Sequence, residues 1–245
     1  MMGKRMTEFG EAVAMKGVIF DFNGTMVFDE ALHTKAWRQF LGQTIGRPGT
    51  EAEFQQYVHG RNVENTLSYF LKRTLSPAEI DGYALVKEEL YRVLAAESPD
   101  YRLAAGLPEY LDELKKRGIP MTIATASPQS NVDFYFRQFP LERWFRREGV
   151  VYNDGTIPGK PEPDIYLKAA AAIGRDISDC AVFEDARAGI EAAKRAGAGI
   201  IVGVASMLRE ETLLRLGATV TIRDYRERET LYALLEQDGA GDEIQ

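Results

Sequence analysis

The chain has little cysteine and no long apolar run. Its single cysteine, Cys180, has no partner for an internal disulfide, which is typical of a reducing compartment and makes the cytoplasm the expected location. No apolar run approaches the roughly 20 residues that a membrane-spanning helix needs, so we expect no membrane partner. Residues 1–15 contain Glu8 and Glu11 and lack an apolar centre, which predicts an N-terminal extension rather than a signal peptide.

Positive charge is also in deficit. The 30 Lys and Arg residues face 37 Asp and Glu residues, for a formal net charge of −7. Such a chain has no overall positive field to attract a nucleic-acid backbone, so we expect no nucleic-acid partner. With 45% hydrophobic residues in 245, it is long enough to bury a core. Nothing in the sequence indicates an obligate protein partner.

Short apolar runs recur along the chain and predict the strands of a parallel sheet. These runs are Gly17–Phe22, Met121–Thr125, Ala181–Asp185, Gly199–Val204 and Ala218–Ile222. Helical stretches separate most of them, and each ends at a glycine that suits a helix C-terminus, at Gly118, Gly174, Gly197 and Gly217. This alternation predicts an α/β fold, with a Rossmann-like, doubly wound parallel sheet as its core.

Residues 29–98 break that alternation. Four amphipathic helical stretches follow one another there with no strand between them, and the last has a clear start signal at Ser76-Pro77-Ala78-Glu79. We therefore predict an all-helical cap domain at 29–98, inserted into a core formed by 16–28 and 99–245.

Polar side chains follow three of the predicted strands. Asp21 and Asn23 follow the first, Thr125 ends the second, and the pair Glu184-Asp185 ends a later one. In open α/β sheets, ligands bind outside the carboxyl ends of the strands. With Lys160, these side chains supply a carboxylate nucleophile, a hydroxyl donor, a fixed cation and an acidic pair for a hard metal ion.

Four sequence motifs occur together and in order. They are Asp21-Phe22-Asn23-Gly24-Thr25, Thr125-Ala126-Ser127, Lys160-Pro161-Glu162-Pro163 and Phe183-Glu184-Asp185-Ala186-Arg187-Ala188-Gly189. On these motifs the chain resembles the haloacid dehalogenase superfamily, and within it the β-phosphoglucomutase-like phosphohydrolases that carry a helical cap. The resemblance extends from Lys16 to about Val204.

The resemblance implies a Mg²⁺-dependent phosphatase of a small phosphorylated metabolite, acting through an aspartyl phosphate. It makes Asp21 the nucleophile. It also places the metal on the side chains of Asp21 and Asp185 and the backbone carbonyl of Asn23, with Glu184 binding the metal or supporting it. Lys160 and Thr125 would then stabilise the phosphoryl oxygens.

The same resemblance assigns residues to phosphate and substrate binding. The phosphate contacts would come from Gly24, Thr25, Ala126 and Ser127. In the predicted cap, the loop containing His59 and Arg61 would face the core and bind the substrate, and Arg61 could hold a distal anionic group with two hydrogen bonds.

Asn23 departs from the family pattern, which normally has aspartate there. An amide cannot donate a proton to the leaving oxygen, and positioned acid–base catalysis contributes about 10² to 10⁴ in rate, or roughly 3 to 5 kcal/mol of barrier. We therefore expect slow turnover of ordinary sugar phosphates, and the mutase interpretation suffers most because both of its half-reactions exchange protons.

Structural alternatives stay open for most of these residues. Asp21 could stabilise a turn, Glu184 and Asp185 could cap a helix beginning at Ala186, and Lys160 could be a solvated lysine. Ser127 could be an N-cap, and the loop with His59 and Arg61 could face solvent. His33 could cover apolar surface or shuttle protons. We interpret Phe134, Tyr135 and Phe136 as helix packing.

Three functions remain after the sequence is considered. A phosphohydrolase is the first, a catalytically weakened phosphometabolite-binding protein is the second, and a phosphosugar mutase is the third. Carbon–halogen hydrolysis needs no metal, so the acidic pair Glu184-Asp185 counts against it.

Overall fold

The structure is a computed structural model that describes residues 16–58 and 63–234. Its centre is a six-stranded sheet in the order β3-β2-β1-β4-β5-β6, in which each neighbouring pair is parallel. The strands are β1 (Gly17–Phe20), β2 (Met121–Pro128), β3 (Val151–Asn153), β4 (Cys180–Glu184), β5 (Ile200–Val204) and β6 (Val220–Ile222). The predicted doubly wound α/β core is confirmed.

The α-helices follow the predicted alternation. They are α1 (Glu30–Ile45), α2 (Glu51–Tyr57), α3 (Val63–Leu71), α4 (Pro77–Glu97), α5 (Leu107–Lys116), α6 (Gln129–Gln138), α7 (Asp164–Ala172), α8 (Arg187–Ala196), α9 (Glu210–Leu216) and α10 (Arg228–Ala233). Short 3₁₀ turns lie at Leu141–Arg143, Arg147–Gly149 and Ile177–Asp179. Along the described chain, no helix combines the length and apolarity needed to cross a bilayer.

The sequence prediction differs from the structure at β2 and β3. Strand β3 was not predicted, because the apolar run there is only Val150–Tyr152, whereas each predicted run spans at least five residues. Strand β2 continues past the predicted end at Thr125, because Pro128 pairs with Asn153 after a shift of register. Helix α6 then connects these strands and supplies the missing crossover.

Both faces of the sheet are buried by apolar side chains. In β1, Val18 and Phe20 join one cluster, which includes residues of α5 and α6, and Ile19 joins another, which includes residues of α7, α8 and α9. This alternation follows from the two-residue period of a strand. The sheet is therefore a rigid platform whose strand ends have fixed positions.

Residues 29–98, called here the helical segment, have an apolar cluster of their own. Its buried members are Trp37, Phe40, Leu41, Phe54, Val58, Leu67, Phe70 and Leu75. Helix α4 also reaches the sheet, since Tyr91, Leu94 and Ala95 belong to the cluster around β1. The predicted domain boundaries at residues 29 and 98 stay predictions, and the predicted extension at 1–15 lies outside the described residues.

Helix α4 begins with the capping box expected from its sequence. The Ser76 Oγ accepts a hydrogen bond from the Glu79 backbone N, and the Glu79 carboxylate accepts one from the Ser76 backbone N. Both bonds satisfy amide groups that the helix itself leaves without partners.

Replacing Ser76 with alanine removes one of these bonds. Since an N-cap hydroxyl contributes about 1 kcal/mol, Ser76→Ala should lower the free energy of unfolding in urea by about that amount. Ser178→Ala is the matched control, because Ser178 is exposed and its hydroxyl makes no hydrogen bond within the described residues. Equal stability of the two variants would contradict the cap.

Candidate active site

The site lies at the carboxyl edge of β1 and β4, where the strand order reverses. Phe20 and Phe183 are paired across these strands, so the next residues, Asp21 and Glu184, lie at the same level at the ends of β1 and β4. Carboxylate oxygens of Asp21, Glu184 and Asp185 lie within 4.8 Å of one another, and all three residues are buried. A reversal of strand order is the usual place for a ligand in this class of fold.

Lys160 supplies a positive charge to this cluster from the loop before α7. Its Nζ donates hydrogen bonds of 2.6 Å to Asp21 Oδ1 and of 2.6 Å to Glu184 Oε1. Only 8% of the lysine side chain is exposed. Burial alone lowers the pKa of Lys160, but the adjacent carboxylates of Asp21 and Glu184 raise it well above its usual range. Lys160 is therefore a fixed cation and not a solvated lysine.

The ionised form of Asp21 remains disfavoured despite this ion pair. Burial raises the pKa of Asp21 to about 7, although Lys160 acts in the opposite direction. Asp185 behaves similarly, because burial and the nearby charges of Glu184 and Asp21 raise its pKa well above the usual range. The cluster thus holds more negative charge than one ammonium group balances.

Glu184 already accepts three hydrogen bonds. Oε1 accepts from Lys160 Nζ and from Tyr166 Oη at 3.0 Å, and Oε2 accepts from the Ala186 backbone N at 2.8 Å. Ala186 is the N-cap residue of α8, but no side chain makes a capping bond there, so Glu184 contacts the residue before the helix and does not cap the helix itself. Its carboxylate orients Lys160 and the residue before α8, and one side of Oε2 remains open to a further ligand.

Asp185 has more free ligand capacity than Glu184. Thr25 Oγ1 donates to Asp185 Oδ1 at 3.3 Å, and no hydrogen bond to Oδ2 comes from the described part of the chain. Gly24 lies directly against this carboxylate. Its φ is +74°, and a Cβ at this position would lie 2.2 Å from Asp185 Oδ2. Position 24 therefore requires glycine for two independent reasons.

The carboxylate oxygens of this cluster fit a divalent cation. Hard ions such as Mg²⁺ bind carboxylate and carbonyl oxygens, and a buried carboxylate cluster needs compensating positive charge. Among the described residues, Lys160 is the only cation hydrogen-bonded to the cluster, which leaves excess negative charge for Mg²⁺ to neutralise. Asp21 and Asp185 are the side chains with the most capacity left for it.

The amide of Asn23 has partners at both ends. Its Nδ2 donates to Asp29 Oδ2 at 2.7 Å and to Tyr91 Oη at 3.2 Å. Its Oδ1 accepts from Ser127 Oγ at 2.8 Å and from Tyr135 Oη at 3.0 Å. Asn23 is thus fixed in one orientation, between the helical segment and the end of β2.

Asp29 and His33 lie behind this amide. Burial raises the pKa of Asp29 to about 6, while hydrogen bonds from Tyr91 and Asn23 act to lower it. The His33 ring stacks on Tyr91 with centroids 3.9 Å apart, and its Nδ1 lies 2.7 Å from Lys87 Nζ. Burial, helped by the charge of Lys87, lowers the pKa of His33 to about 3.

The remaining predicted residues lie around the end of β2. The buried Thr125 accepts a hydrogen bond on Oγ1 from the Ser127 backbone N at 3.2 Å, and Ala126 is exposed. The alternative that Ser127 is an N-cap is wrong: Pro128 is the N-cap of α6, and the Ser127 hydroxyl binds Asn23 instead. His59 and Arg61 lie outside the described residues.

The sequence prediction missed four participating side chains, namely Asp29, Tyr91, Tyr135 and Tyr166. Asp29, six residues after Asn23, could have been found from local spacing. The tyrosines carried no local signal, because each acts on a partner distant in sequence. Tyr135 was interpreted only as packing, which its burial supports, but its hydroxyl also binds Asn23.

A family model for haloacid dehalogenase-like hydrolases matches residues 15–197. The chain belongs to this family. It is 30% identical over 214 residues to the phosphorylated carbohydrates phosphatase of Thermotoga maritima, covering 85% of this chain and 94% of the relative. It is 29% identical over 232 residues to the β-phosphoglucomutase of Bacillus subtilis, covering 91% and 99%.

A solved structure is similar along nearly the whole haloacid dehalogenase-like chain. The crystal structure of a family IA, variant 3 hydrolase from Entamoeba histolytica has a TM-score of 0.85 and 38% identity, covering 90% of this chain and 99% of that one. The predicted family, fold and hydrolase class are therefore confirmed. Relatives with phosphatase and mutase names both match, so family membership alone does not choose the reaction.

The close contact between Gly189 and Glu184 gives a test of this geometry. A Cβ at position 189 would lie 1.6 Å from Glu184 Oε1, so Gly189→Ala must displace the carboxylate that orients Lys160. We expect a loss of about 1 to 3 kcal/mol in the free energy of unfolding.

Gly42→Ala is the matched control. Gly42 also lies inside a helix, and nothing lies within 4 Å of a Cβ built there. Because alanine favours helix over glycine, this variant should be more stable by about 0.5 to 1 kcal/mol. Similar urea unfolding curves for the two variants would show that Glu184 is not held where the structure has it.

Proposed function

We propose that the protein is a Mg²⁺-dependent phosphatase of a small phosphorylated metabolite, acting through an aspartyl phosphate on Asp21. The observation that carries this proposal is the buried carboxylate of Asp21, 2.6 Å from Lys160 and within 4.8 Å of Asp185, at the point where the strand order reverses. The phosphatase name of the Thermotoga maritima relative supports the reaction and favours a phosphorylated carbohydrate as substrate.

Asp21 supplies the nucleophile. Its Oδ1 is held by Lys160, which leaves Oδ2 to attack phosphorus in line while the bond from phosphorus to the ester oxygen breaks. The leaving oxygen takes its proton from water, because the N–H protons of the Asn23 amide are not acidic enough to transfer. A second water then cleaves the bond between phosphorus and Asp21, which releases inorganic phosphate and a proton that neutralises the hydroxide formed in the first step.

Asp21, Asp185 and the backbone carbonyl of Asn23 would hold the magnesium ion. When bound, it supplies the positive charge that lets an anionic carboxylate approach an anionic ester. Glu184 would support the site mainly through Lys160, since its carboxylate already accepts three hydrogen bonds.

Lys160 and Thr125 would bind the phosphoryl oxygens. Because Thr125 Oγ1 accepts a hydrogen bond from the Ser127 amide, its own proton remains available for donation. The Gly24 amide is a poorer candidate than the sequence implied, since it already donates to Val27 O at 2.7 Å and to Asp29 Oδ1 at 3.2 Å. Substrate selection by His59 and Arg61 remains part of the proposal.

Asn23 favours a second candidate, a phosphometabolite-binding protein with weak turnover. Four hydrogen bonds hold this amide, and none of them supplies an acidic proton from position 23 to a substrate. Saturable binding of a phosphate ester without turnover would favour this candidate. Interconversion of hexose phosphates with a bisphosphate activator would instead favour the mutase.

Loss of the nucleophile should abolish phosphatase activity. Asp21→Asn should reduce the kcat for p-nitrophenyl phosphate and acetyl phosphate by about 10³-fold or more, and a chelator should have a similar effect on the wild type. Asp179→Asn is the control, since this partly exposed aspartate pairs with Lys16 at the opposite edge of the sheet. Equal activity of Asp21→Asn and the wild type would refute the mechanism.

Turnover should also depend strongly on the leaving group. Without an acid at position 23, esters whose leaving groups need little protonation should exceed hexose phosphates in kcat/KM by about 10² to 10⁴. Because kcat/KM reports the step in which the leaving group departs, comparing it for acetyl phosphate, p-nitrophenyl phosphate and a panel of hexose phosphates measures this ratio. Comparable kcat/KM values across the panel would mean that another group donates the proton.

A further inference from the structure

The four partners of the Asn23 amide come from two different parts of the molecule. Asp29 and Tyr91 belong to the helical segment, at the N-cap of α1 and on α4. Ser127 and Tyr135 belong to the sheet side, at the end of β2 and on α6. A single side chain in residues 21–28, called here the nucleophile loop, therefore joins both parts by hydrogen bonds.

Asp29 can act in this arrangement only as an acceptor. Its Oδ1 accepts from the Gly24 backbone N at 3.2 Å, and its Oδ2 accepts from Asn23 Nδ2 at 2.7 Å and from Tyr91 Oη at 2.5 Å. An amide at position 29 would direct its NH₂ group towards one of these donors. Although Asp29 is the N-cap residue of α1, its side chain makes no capping bond, because it is engaged by the loop.

Position 23 has the complementary requirement. A carboxylate there would still accept from Ser127 and Tyr135, but its second oxygen would lie about 2.7 Å from Asp29 Oδ2, where the amide now donates. Two ionised carboxylates at that distance repel each other, and burial strengthens the repulsion, so one of them would have to bind a proton. The surroundings of residue 23 therefore favour an amide, which donates this hydrogen bond at any pH.

We propose that Asn23 and Asp29 form one positioning pair. Because Asn23 donates and Asp29 accepts, the hydrogen bond between them holds the nucleophile loop against the helical segment. Asp29 binds both Asn23 and Gly24, so the pair fixes the two residues that follow Asp21-Phe22 in the loop. Since Gly24 contacts Asp185, loosening the pair also disturbs the phosphate and metal end of the loop. The inference deepens the proposed function, and its activity readout rests on that function.

Exchanging the two groups tests the pair. In the double variant Asn23→Asp/Asp29→Asn, the new amide donates to the new carboxylate from the opposite side. Its oxygen still accepts from Gly24 N, and the hydroxyls of Ser127 and Tyr135 still donate to position 23. Each single variant has an acceptor facing an acceptor or a donor facing a donor, whereas the exchange removes both conflicts.

The experiment is a cycle of the wild type, both single variants and the double variant. We expect each single variant to have a lower midpoint of thermal unfolding and about tenfold or more weaker binding of inorganic phosphate in Mg²⁺, measured by calorimetry. In the double variant, the phosphate affinity should return to within about threefold of the wild-type value, and the midpoint of thermal unfolding should return towards that of the wild type. The kcat for p-nitrophenyl phosphate should fall and recover in parallel.

Asn131→Asp is the matched control for a purely structural effect. Asn131 is buried on α6, and its Nδ2 donates to Glu88 Oε2 at 2.6 Å, so it forms an amide–carboxylate pair outside the nucleophile loop. This variant should lower the unfolding midpoint and leave the phosphate affinity unchanged.

Two results would overturn the pair. One is an Asn23→Asp variant whose unfolding midpoint and phosphate affinity equal those of the wild type. The other is a double variant whose losses in both quantities equal the sum of the losses in the two single variants. If all four proteins lack turnover but show the expected coupling in unfolding and phosphate binding, the phosphatase proposal fails and the positioning pair stands. If the wild type does not bind phosphate, the proposed function fails, and the coupling in unfolding alone decides the pair.

Discussion

The ion pairs of Lys160 are the interaction on which the rest of the site depends. Parallel strands β1 and β4 bring acidic residues to the same level, and like charges buried together would destabilise the fold if no cation faced them. The ammonium group meets Asp21 and Glu184 at equal distance, while Tyr166 and the backbone of Ala186 also donate to Glu184. The excess negative charge that remains is what a bound cation would neutralise.

Sequence patterns predicted the parts of this arrangement that follow from chain topology. Asp21, Glu184 and Asp185 could be placed together because they end apolar strands, and strand ends in a parallel sheet share one edge. The sequence pattern could not show which partners Glu184 and Asp185 each contact, because the two residues are adjacent in sequence. Only the direction of each side chain shows that Glu184 accepts three hydrogen bonds, whereas Asp185 keeps Oδ2 without a hydrogen bond from the described residues.

The hydrogen-bond partners of Asn23 could not be predicted from the sequence, for a different reason. An amide in place of the expected acid looked like the loss of a group, because its partners Tyr91 and Tyr135 lie 68 and 112 residues away. In the folded chain the same amide bonds to both sides of the site. Residue 23 thus has a structural role between the helical segment and the end of β2, which its place beside Asp21 alone does not reveal.

Helix α4 extends well beyond its contact with the site. Tyr91, fully buried, donates a hydrogen bond to Asp29 and stacks on His33, while the helix begins at Pro77. At about 1.5 Å of rise per residue, some 20 Å of helix lie between Tyr91 and that end, so a tilt of about 5° at Tyr91 would move the end by nearly 2 Å. A small change in the angle of α4 at Tyr91 would therefore become a displacement about the size of an atom at the start of the helix.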